Sequence, residues 1–471
     1  MYFIDYVIFG IYFAVILGIG IYFYRKNESR EDYFVGNRSI SASHVGMSIV
    51  ATDVGGGFSI GLGGLGFVMG IAGSWLLFTG LIGAWLTAIL IIPKIKRLDA
   101  KHGMLTYPDF LRLKYNDSVA TVAAVISGIG YLGFTGAQIL AGAKLAGGTV
   151  FSEIDWFDPV QFALYVMAAV IILYTVLGGL KAVIYTDTVQ WIVLLAGLSF
   201  FGLPFAYQKV GGWEILRQQL PPEFFSFGNI SAVQFTNWFF TIVPIWFIAM
   251  TLYQRIFACK NEKDAKKAFY IAGILEYPIM AILGVTLGMM ARIVFPGAEP
   301  EMGMPRLLKH ALPIGVTGIV ISAYFSAIMS TADSCLIASS GNFVNDIIER
   351  YWKCELTQKQ LVHLSQAITL LIGATTIVIA SSFDSVLEII LYAYSFMVAG
   401  LFIPTVAAYF KRKIYPVAAI SSMFGGGGLT IFLIFSDIKT PLGLDPSVYG
   451  IACSFFVYWI VSVFKKYQTG D

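Results

Sequence analysis

Long apolar stretches separated by short polar gaps run the whole length of the chain. Thirteen of them lie near residues 5–24, 43–72, 73–96, 118–147, 159–178, 183–207, 234–256, 268–295, 311–347, 362–381, 385–409, 414–436 and 447–464. About 20 apolar residues cross one bilayer as a helix. The stretches are apolar throughout and do not alternate with polar residues, which excludes a membrane β-barrel. The pattern therefore predicts an all-α polytopic membrane protein with thirteen transmembrane helices. The largest gaps, near 208–233 and 296–310, are too short for a folded soluble domain. Residues 1–471 read as one transmembrane domain, and function has to reside inside the helix bundle. The first stretch, Asp5–Tyr24, has no basic leader and no small-residue cleavage site, so it reads as a retained helix.

Composition agrees with this pattern. Hydrophobic residues make up 57% of the 471 residues and charged residues 13%, against about 25% charged in a typical soluble domain. The mean hydropathy is +0.76. A cytosolic enzyme, a disordered chain and a disulfide scaffold are disfavoured together. The net charge of +3 is small and scattered, whereas a nucleic-acid partner needs a clustered basic face. Position says more than total charge. Of the 31 lysines and arginines, 24 fall in alternate gaps that begin after the first helix, or in the C-terminal tail. Positive residues collect on the cytoplasmic side. This places the N-terminus outside and the C-terminus in the cytoplasm, in a plasma (inner) membrane. The four cysteines and four histidines form no ligand-spaced cluster, and no nucleophile motif occurs, so no catalytic residues are expected.

Interruptions in the apolar pattern carry the chemistry. The second stretch contains Ala51-Thr52-Asp53-Val54-Gly55-Gly56-Gly57. Each glycine weakens a helix by about 1 kcal/mol relative to alanine. An acid followed by three glycines near mid-membrane predicts a discontinuous helix, whose free carbonyls can ligate a cation and whose ends can hold a solute. A glycine face for close helix packing is the competing explanation. The ninth stretch is rich in hydroxyls: Ser322, Ser326, Ser330, Thr331, Ser334, Ser339 and Ser340, with Asp333 among them. The Ala327 carbonyl and the Ser330 and Thr331 hydroxyls can face one point, and hard neutral oxygens suit sodium. Gly178-Gly179 predicts a tight turn with Asp187 one turn into the next helix. That acid is either functional or an interfacial residue at a helix N-terminus. Pro244 predicts a second broken helix, with Trp246, Tyr253 and Gln254 near it. Glu276 and Glu388 interrupt apolar stretches without an evident role.

These motifs resemble the sodium:solute symporter family. The runs Leu173–Leu180 and Thr186–Gln190 are similar to its most specific signature, Ile328–Ser334 to its sodium-binding helix, and Asp32–Arg38 to its first loop. The resemblance covers nearly the whole chain, in order, and is strongest to the sodium/proline symporter and high-affinity choline transporter branches. It implies a leucine-transporter-like 5+5 inverted repeat. Its core would cover about 43–207 and 234–409, with the helix at about 5–24 and those at about 414–464 as additions. It implies a sodium site from the carbonyls of Ala51, Val54 and Ala327 and the hydroxyls of Ser330 and Thr331. Some members hold a second sodium, for which Asp187, Ser330 and Ser334 are the matching residues, with Asp333 standing where other members can have a hydroxyl. The solute would meet Asp53, Gly55, Gly56, Gly57, Trp246, Tyr253 and Gln254.

The resulting expectation is a sodium-coupled symporter that imports a small organic solute, foremost an amino acid such as proline, working as a monomer in the lipid bilayer. Choline, pantothenate, a monocarboxylate or a sugar are alternative solutes. The tryptophans of a choline cage are replaced by Asp53, Gly133 and Ala249. Proton coupling through Asp53, Asp187 or Asp333 is a further alternative, and a solute sensor without transport is a different class.

Overall fold

The computed structural model describes residues 2–24, 35–352, 357–436 and 438–469. Among these residues it is a helical bundle without named strands; one isolated bridge pairs Ile40 with Cys259. The main helices are α1 (Phe3–Tyr24), α2 (Ala42–Asp53), α3 (Gly55–Met69), α4 (Trp75–Leu90), α5 (Asp117–Gly148) and α6 (Pro159–Ala196). They continue as α7 (Ala232–Ile245), α8 (Met250–Ala258), α9 (Glu262–Ile274), α10 (Ile282–Val294), α11 (Pro300–Ala311) and α12 (Val316–Phe343). The chain closes with α13 (Gln358–Ser381), α14 (Val386–Phe410), α15 (Pro416–Phe435) and α16 (Pro446–Thr469).

Helix α12 is the axis of the bundle and is buried along almost all its length. Large apolar side chains are exposed on the outermost helices, including Leu173 on α6, Leu371 on α13, Phe424 on α15 and Trp459 on α16. Such a surface suits lipid and not water. Glycines set the close approaches. A Cβ at Gly66 would overlap the Val285 backbone, and one at Gly288 would overlap the Gly63 carbonyl, so α3 and α10 touch backbone to backbone. The glycine face read as the competing explanation for this stretch is thus real, but it lies beyond the triplet. Helix α1 is pinned to the axis by Asp5, whose Oδ1 accepts the Gly315 and Gly318 N–H groups at 2.8 and 3.0 Å at the start of α12.

The expected breaks are present. Helix α2 ends at Asp53 and α3 begins at Gly55, whose φ is +42°. Pro244 closes α7, and α8 follows after a short non-helical link with a 44° bend. Helix α6 is assigned without interruption over Pro159–Ala196, yet its neighbours show it folding back. Val160 lies against Gly147, and Gly197 against Val320. Those two contacts belong to one end of the bundle, where Asp5 meets Gly318 and the Tyr6 hydroxyl donates to the Val150 carbonyl at 2.9 Å. A straight helix would separate its ends by about 1.5 Å per residue, so the chain reverses within the element.

Among the described residues nine helices are long and apolar enough to cross a membrane, or ten if α7 and α8 form one span. The count of thirteen is not confirmed on length and composition. Phe3–Val15 and Pro159–Leu173 are shorter apolar helices, and Gly55–Leu90 passes as one apolar run across the turn at Gly70–Ser74. Two expectations about charge change as well. Arg255, counted with the polar gaps, is completely buried, and Lys144 nearly so. Cys259, Cys335 and Cys453 are free, while Cys354 and the Asp32–Phe34 part of the Asp32–Arg38 motif lie outside the described residues.

Candidate functional site

The break between α2 and α3 faces the middle of α12. Gly55 combines its positive φ with a contact that no side chain could share, because a Cβ there would overlap the Thr331 hydroxyl. A Cβ at Gly56 would overlap Ile328, and one at Gly57 would overlap the Gln138 amide. The triplet thus brings the chain break against α12 and α5. Four of the five oxygens expected to bind sodium meet as a result. Thr331 Oγ1 lies 2.8 Å from the Ala51 carbonyl and 3.2 Å from that of Ala327. Ser330 Oγ lies 3.0 Å from the Ala327 carbonyl and 3.4 Å from that of Ala51. The Val54 carbonyl is not hydrogen-bonded to either hydroxyl. Each hydroxyl has one proton for two carbonyls, so lone pairs converge in a neutral cluster. Two carbonyls and two hydroxyls are donors that fit a hard monovalent cation.

One turn away along α2 and α12, the residues matched to a second sodium site are arranged differently. Asp187 accepts the Ser48 hydroxyl and pairs with Arg255 Nη2 at 3.4 Å, both side chains fully buried. The guanidinium also donates to the Ser334 hydroxyl at 2.8 Å, to Ser48 at 3.1 Å, to the Thr251 carbonyl at 3.2 Å, and to Thr52. A permanent cation therefore stands between Asp187 and Ser334. Asp333 faces elsewhere, accepting the Thr175 hydroxyl of α6. Of this set, Ser330 belongs to the neutral cluster.

The residues expected to meet the solute divide in two. Asp53, at the end of α2, accepts the Tyr394 hydroxyl at 3.5 Å. Tyr394 packs against Phe134 and Phe58, with ring centroids 5.1 and 6.0 Å away. The Gly57 N–H donates to Gln138 Oε1 at 2.9 Å. Trp246 lies in the link between α7 and α8; it is fully buried, and its indole N–H has no partner. Gln254 is likewise buried, with neither amide atom bonded. Tyr253 joins a different group. Its hydroxyl donates to the Phe247 carbonyl and meets that of Tyr409, both at 2.9 Å, and its ring packs on Tyr107.

Sequence reasoning did not identify Tyr394, Gln138 or the role of Arg255. A lone tyrosine or glutamine in an apolar stretch carries no signal without its cross-chain neighbour. Polar locks lie at the two ends of the bundle. At one, Lys144 bonds Glu299 and, at 2.7 Å, Glu301, which also accepts the Val386 and Leu387 N–H groups at the start of α14. At the other, Arg112 bonds Asp346 at 3.1 Å and Asp117 at 3.0 Å.

Known proteins are similar to this chain over most of their length. The high-affinity proline transporter PutP of Bacillus subtilis is 25% identical over 461 residues, covering 95% of each chain. The sodium/glucose cotransporter of Vibrio parahaemolyticus is also 25% identical, over 100% of this chain and 92% of its own. Among solved structures, the substrate-bound outward-open state of a Na+-coupled sialic acid symporter superposes with a TM-score of 0.79 at 18% identity, covering 98% of each chain. The leucine-transporter-like fold expected from the sequence is the fold of such neighbours. With the family's pattern matched over residues 33–426, this chain belongs to the sodium:solute symporter family.

Proposed function

We propose that this symporter couples one sodium ion to the import of a small organic solute with an amine nitrogen, an amino acid such as proline. The observation that carries the reading is the neutral oxygen cluster of Ala51, Ala327, Ser330 and Thr331, built across the helix break. Asp53 beside Tyr394 supports an amine solute, as do relatives that transport proline.

A sodium ion that enters this cluster is bound by both α12 and the break, with the Val54 carbonyl as a further ligand. That orders the start of α3, and with it Gly57 and the solute contacts. Sodium then raises solute affinity, and by linkage the solute raises sodium affinity to the same degree. Because the cluster is neutral, the bound ion keeps its charge. The membrane potential acts on that charge with about 2.3 kcal/mol per 100 mV. Asp187, already paired with Arg255, does not take a second ion in this scheme.

The two halves of the core cover about 43–207 and 234–409 and rock against each other, so that the Lys144 lock opens outward and the Arg112 lock inward. The N-terminus lies outside a plasma membrane and the C-terminus in the cytoplasm, and one copy suffices for transport. The test is uptake into proteoliposomes of a labelled panel: proline, other amino acids, choline, pantothenate, monocarboxylates, sugars and sialic acid. An inward sodium gradient is compared with a potassium control. Sodium-dependent accumulation of an amine solute is expected. Accumulation driven only by a proton gradient contradicts the reading.

A further inference from the structure

The two broken helices meet at one side chain. Arg255 lies on α8, the second half of one broken helix, and its planar fork reaches the first half of the other. Nε donates to the Ser48 hydroxyl at 3.1 Å and Nη2 to the Thr52 hydroxyl, both on α2. The same Nη2 donates to the Ser334 hydroxyl of α12 at 2.8 Å. The Thr52 and Ser334 hydroxyls are themselves 3.1 Å apart. Arg255, Thr52 and Ser334 are all buried. Neutralisation of the guanidinium by Asp187 does not involve Thr52, so the Thr52 contact has to be explained separately.

These contacts fall beside the oxygen cluster. Thr52 follows Ala51, whose carbonyl lies 2.8 Å from Thr331 Oγ1. Ser334 stands three residues beyond Thr331 and four beyond Ser330, on the same face of α12. Helices α2 and α12 are therefore joined at two neighbouring levels, once through the oxygen cluster and once through Nη2. Ala51, Thr52 and Asp53, the last residues of α2 before the break, address three different partners: Thr331, Arg255 and Tyr394. Helix α8 is held at its own start. The Tyr131 hydroxyl of α5 accepts the Thr251 N–H at 3.1 Å and meets the Thr251 hydroxyl at 3.0 Å, which satisfies one of the free donors of a helix N-terminus. Arg255 Nη1 donates to the Thr251 carbonyl at 3.2 Å. The guanidinium is thus fixed to the first turn of α8, next to the non-helical link that holds Trp246.

We infer that Thr52 and Arg255 are positioning residues for the sodium site: Nη2 holds Thr52 and Ser334 together, sets the distance between the ligands on α2 and those on α12, and ties that distance to the second broken helix. This rests on the proposed reading of the oxygen cluster as the sodium site. A break leaves carbonyls without intrahelical partners, so contacts with other helices have to set the spacing of the ligands. Lysine cannot replace Arg255 in this role, because a single ammonium lacks the fork that spans Ser48, Thr52 and Ser334.

The experiment measures equilibrium binding of radioactive sodium to the purified full chain, without solute, in the unmodified protein and in Thr52→Val, Thr52→Ser and Ser334→Ala. Thr52→Val keeps the shape of the side chain and removes the acceptor, leaving Arg255 paired with Asp187. Its dissociation constant for sodium is expected to rise about tenfold, as when a group that orients a metal's ligands is removed. The number of ions bound per chain at saturation is expected to stay the same, which places the loss in affinity and not in the amount of folded protein. Thr52→Ser keeps the hydroxyl and is expected to bind sodium like the unmodified protein. Ser334→Ala removes the other end of the connection and is expected to weaken binding in the same direction; if Thr52→Val does not fold, it carries the test alone. The two together are expected to weaken binding by less than the product of the single effects, because both cut one connection. An unchanged dissociation constant in Thr52→Val and Ser334→Ala overturns the inference, as does equal weakening by Thr52→Val and Thr52→Ser, or fully multiplicative effects in the double variant. The oxygen cluster would stand as the sodium site in each of those cases. Absence of sodium binding to the unmodified protein overturns the proposed reading, and the inference with it.

Discussion

Two polar sites lie one helical turn apart between α2 and α12, and they handle a cation in opposite ways. The first consists of the carbonyls of Ala51 and Ala327 and the hydroxyls of Ser330 and Thr331, with no formal charge. The second contains Asp187, Ser48, Thr52 and Ser334 gathered around the buried guanidinium of Arg255. Neutral oxygens can release a monovalent ion, because the empty state strands no charge. A buried aspartate cannot be left alone at comparable cost. Here it is matched by a side chain that never leaves and never deprotonates. In the proposed scheme the same elements thus hold one exchangeable cation site, beside one permanent cation that the structure shows.

Substitutions can break either half of this comparison. The largest effect is expected at the glycine triplet. Gly56→Ala drives a methyl into Ile328 and separates α3 from α12. Sodium-dependent uptake is expected to vanish while the purified protein remains monodisperse by size-exclusion chromatography. Breaking the permanent site comes next. Arg255→Met strands Asp187, a loss of about 3–5 kcal/mol for a buried pair, to be read from thermal or denaturant unfolding. Asp187→Asn added to Arg255→Met is expected to recover most of that loss. Independent, additive effects of the two substitutions would contradict the pairing.

Single substitutions in the neutral site act more mildly. Ser330→Ala or Thr331→Val removes one ligand of a cation, worth about 1.5–3 kcal/mol. Half-saturating sodium is then expected to rise about tenfold or more in uptake assays, with maximal uptake retained at high sodium. A control outside both sites is smallest. Lys309 bonds Glu153 at 2.9 Å and holds that exposed carboxyl below its usual value. Its contribution is present above the ordinary carboxylate range and fades as pH falls through the lowered value. Solvent screens it heavily, so Lys309→Gln is expected to move the melting temperature at pH 7 by less than about 1 °C and to leave uptake unchanged.

The neutral site was more legible in the sequence than the permanent one for a physical reason. Three glycines behind an acid, and adjacent hydroxyls in an apolar stretch, are local departures from helix-forming chemistry. The break at Val54 and the meeting of Ala51 with Thr331 follow from them. Asp187 was visible as a membrane acid, but Arg255, 68 residues later, looked like the polar end of a span. Only the fold places the guanidinium beside it. Tyr253 was assigned to the solute site by proximity to Trp246. The bent link between α7 and α8 resets the helical face and turns Tyr253 toward Tyr409. Glu276 stood out as an acid in an apolar stretch, but its position beside Gly80 and Trp246, which come from other parts of the chain, is set by the fold.

The most direct test of the account is equilibrium binding of radioactive sodium to the purified protein, compared with Ser330→Ala plus Thr331→Ala. One ion bound per chain is expected in the unmodified protein, and a loss of that binding in the double variant at the same sodium concentration, with an unchanged melting temperature without sodium. Two ions bound per chain, or undiminished binding in the double variant, would contradict it.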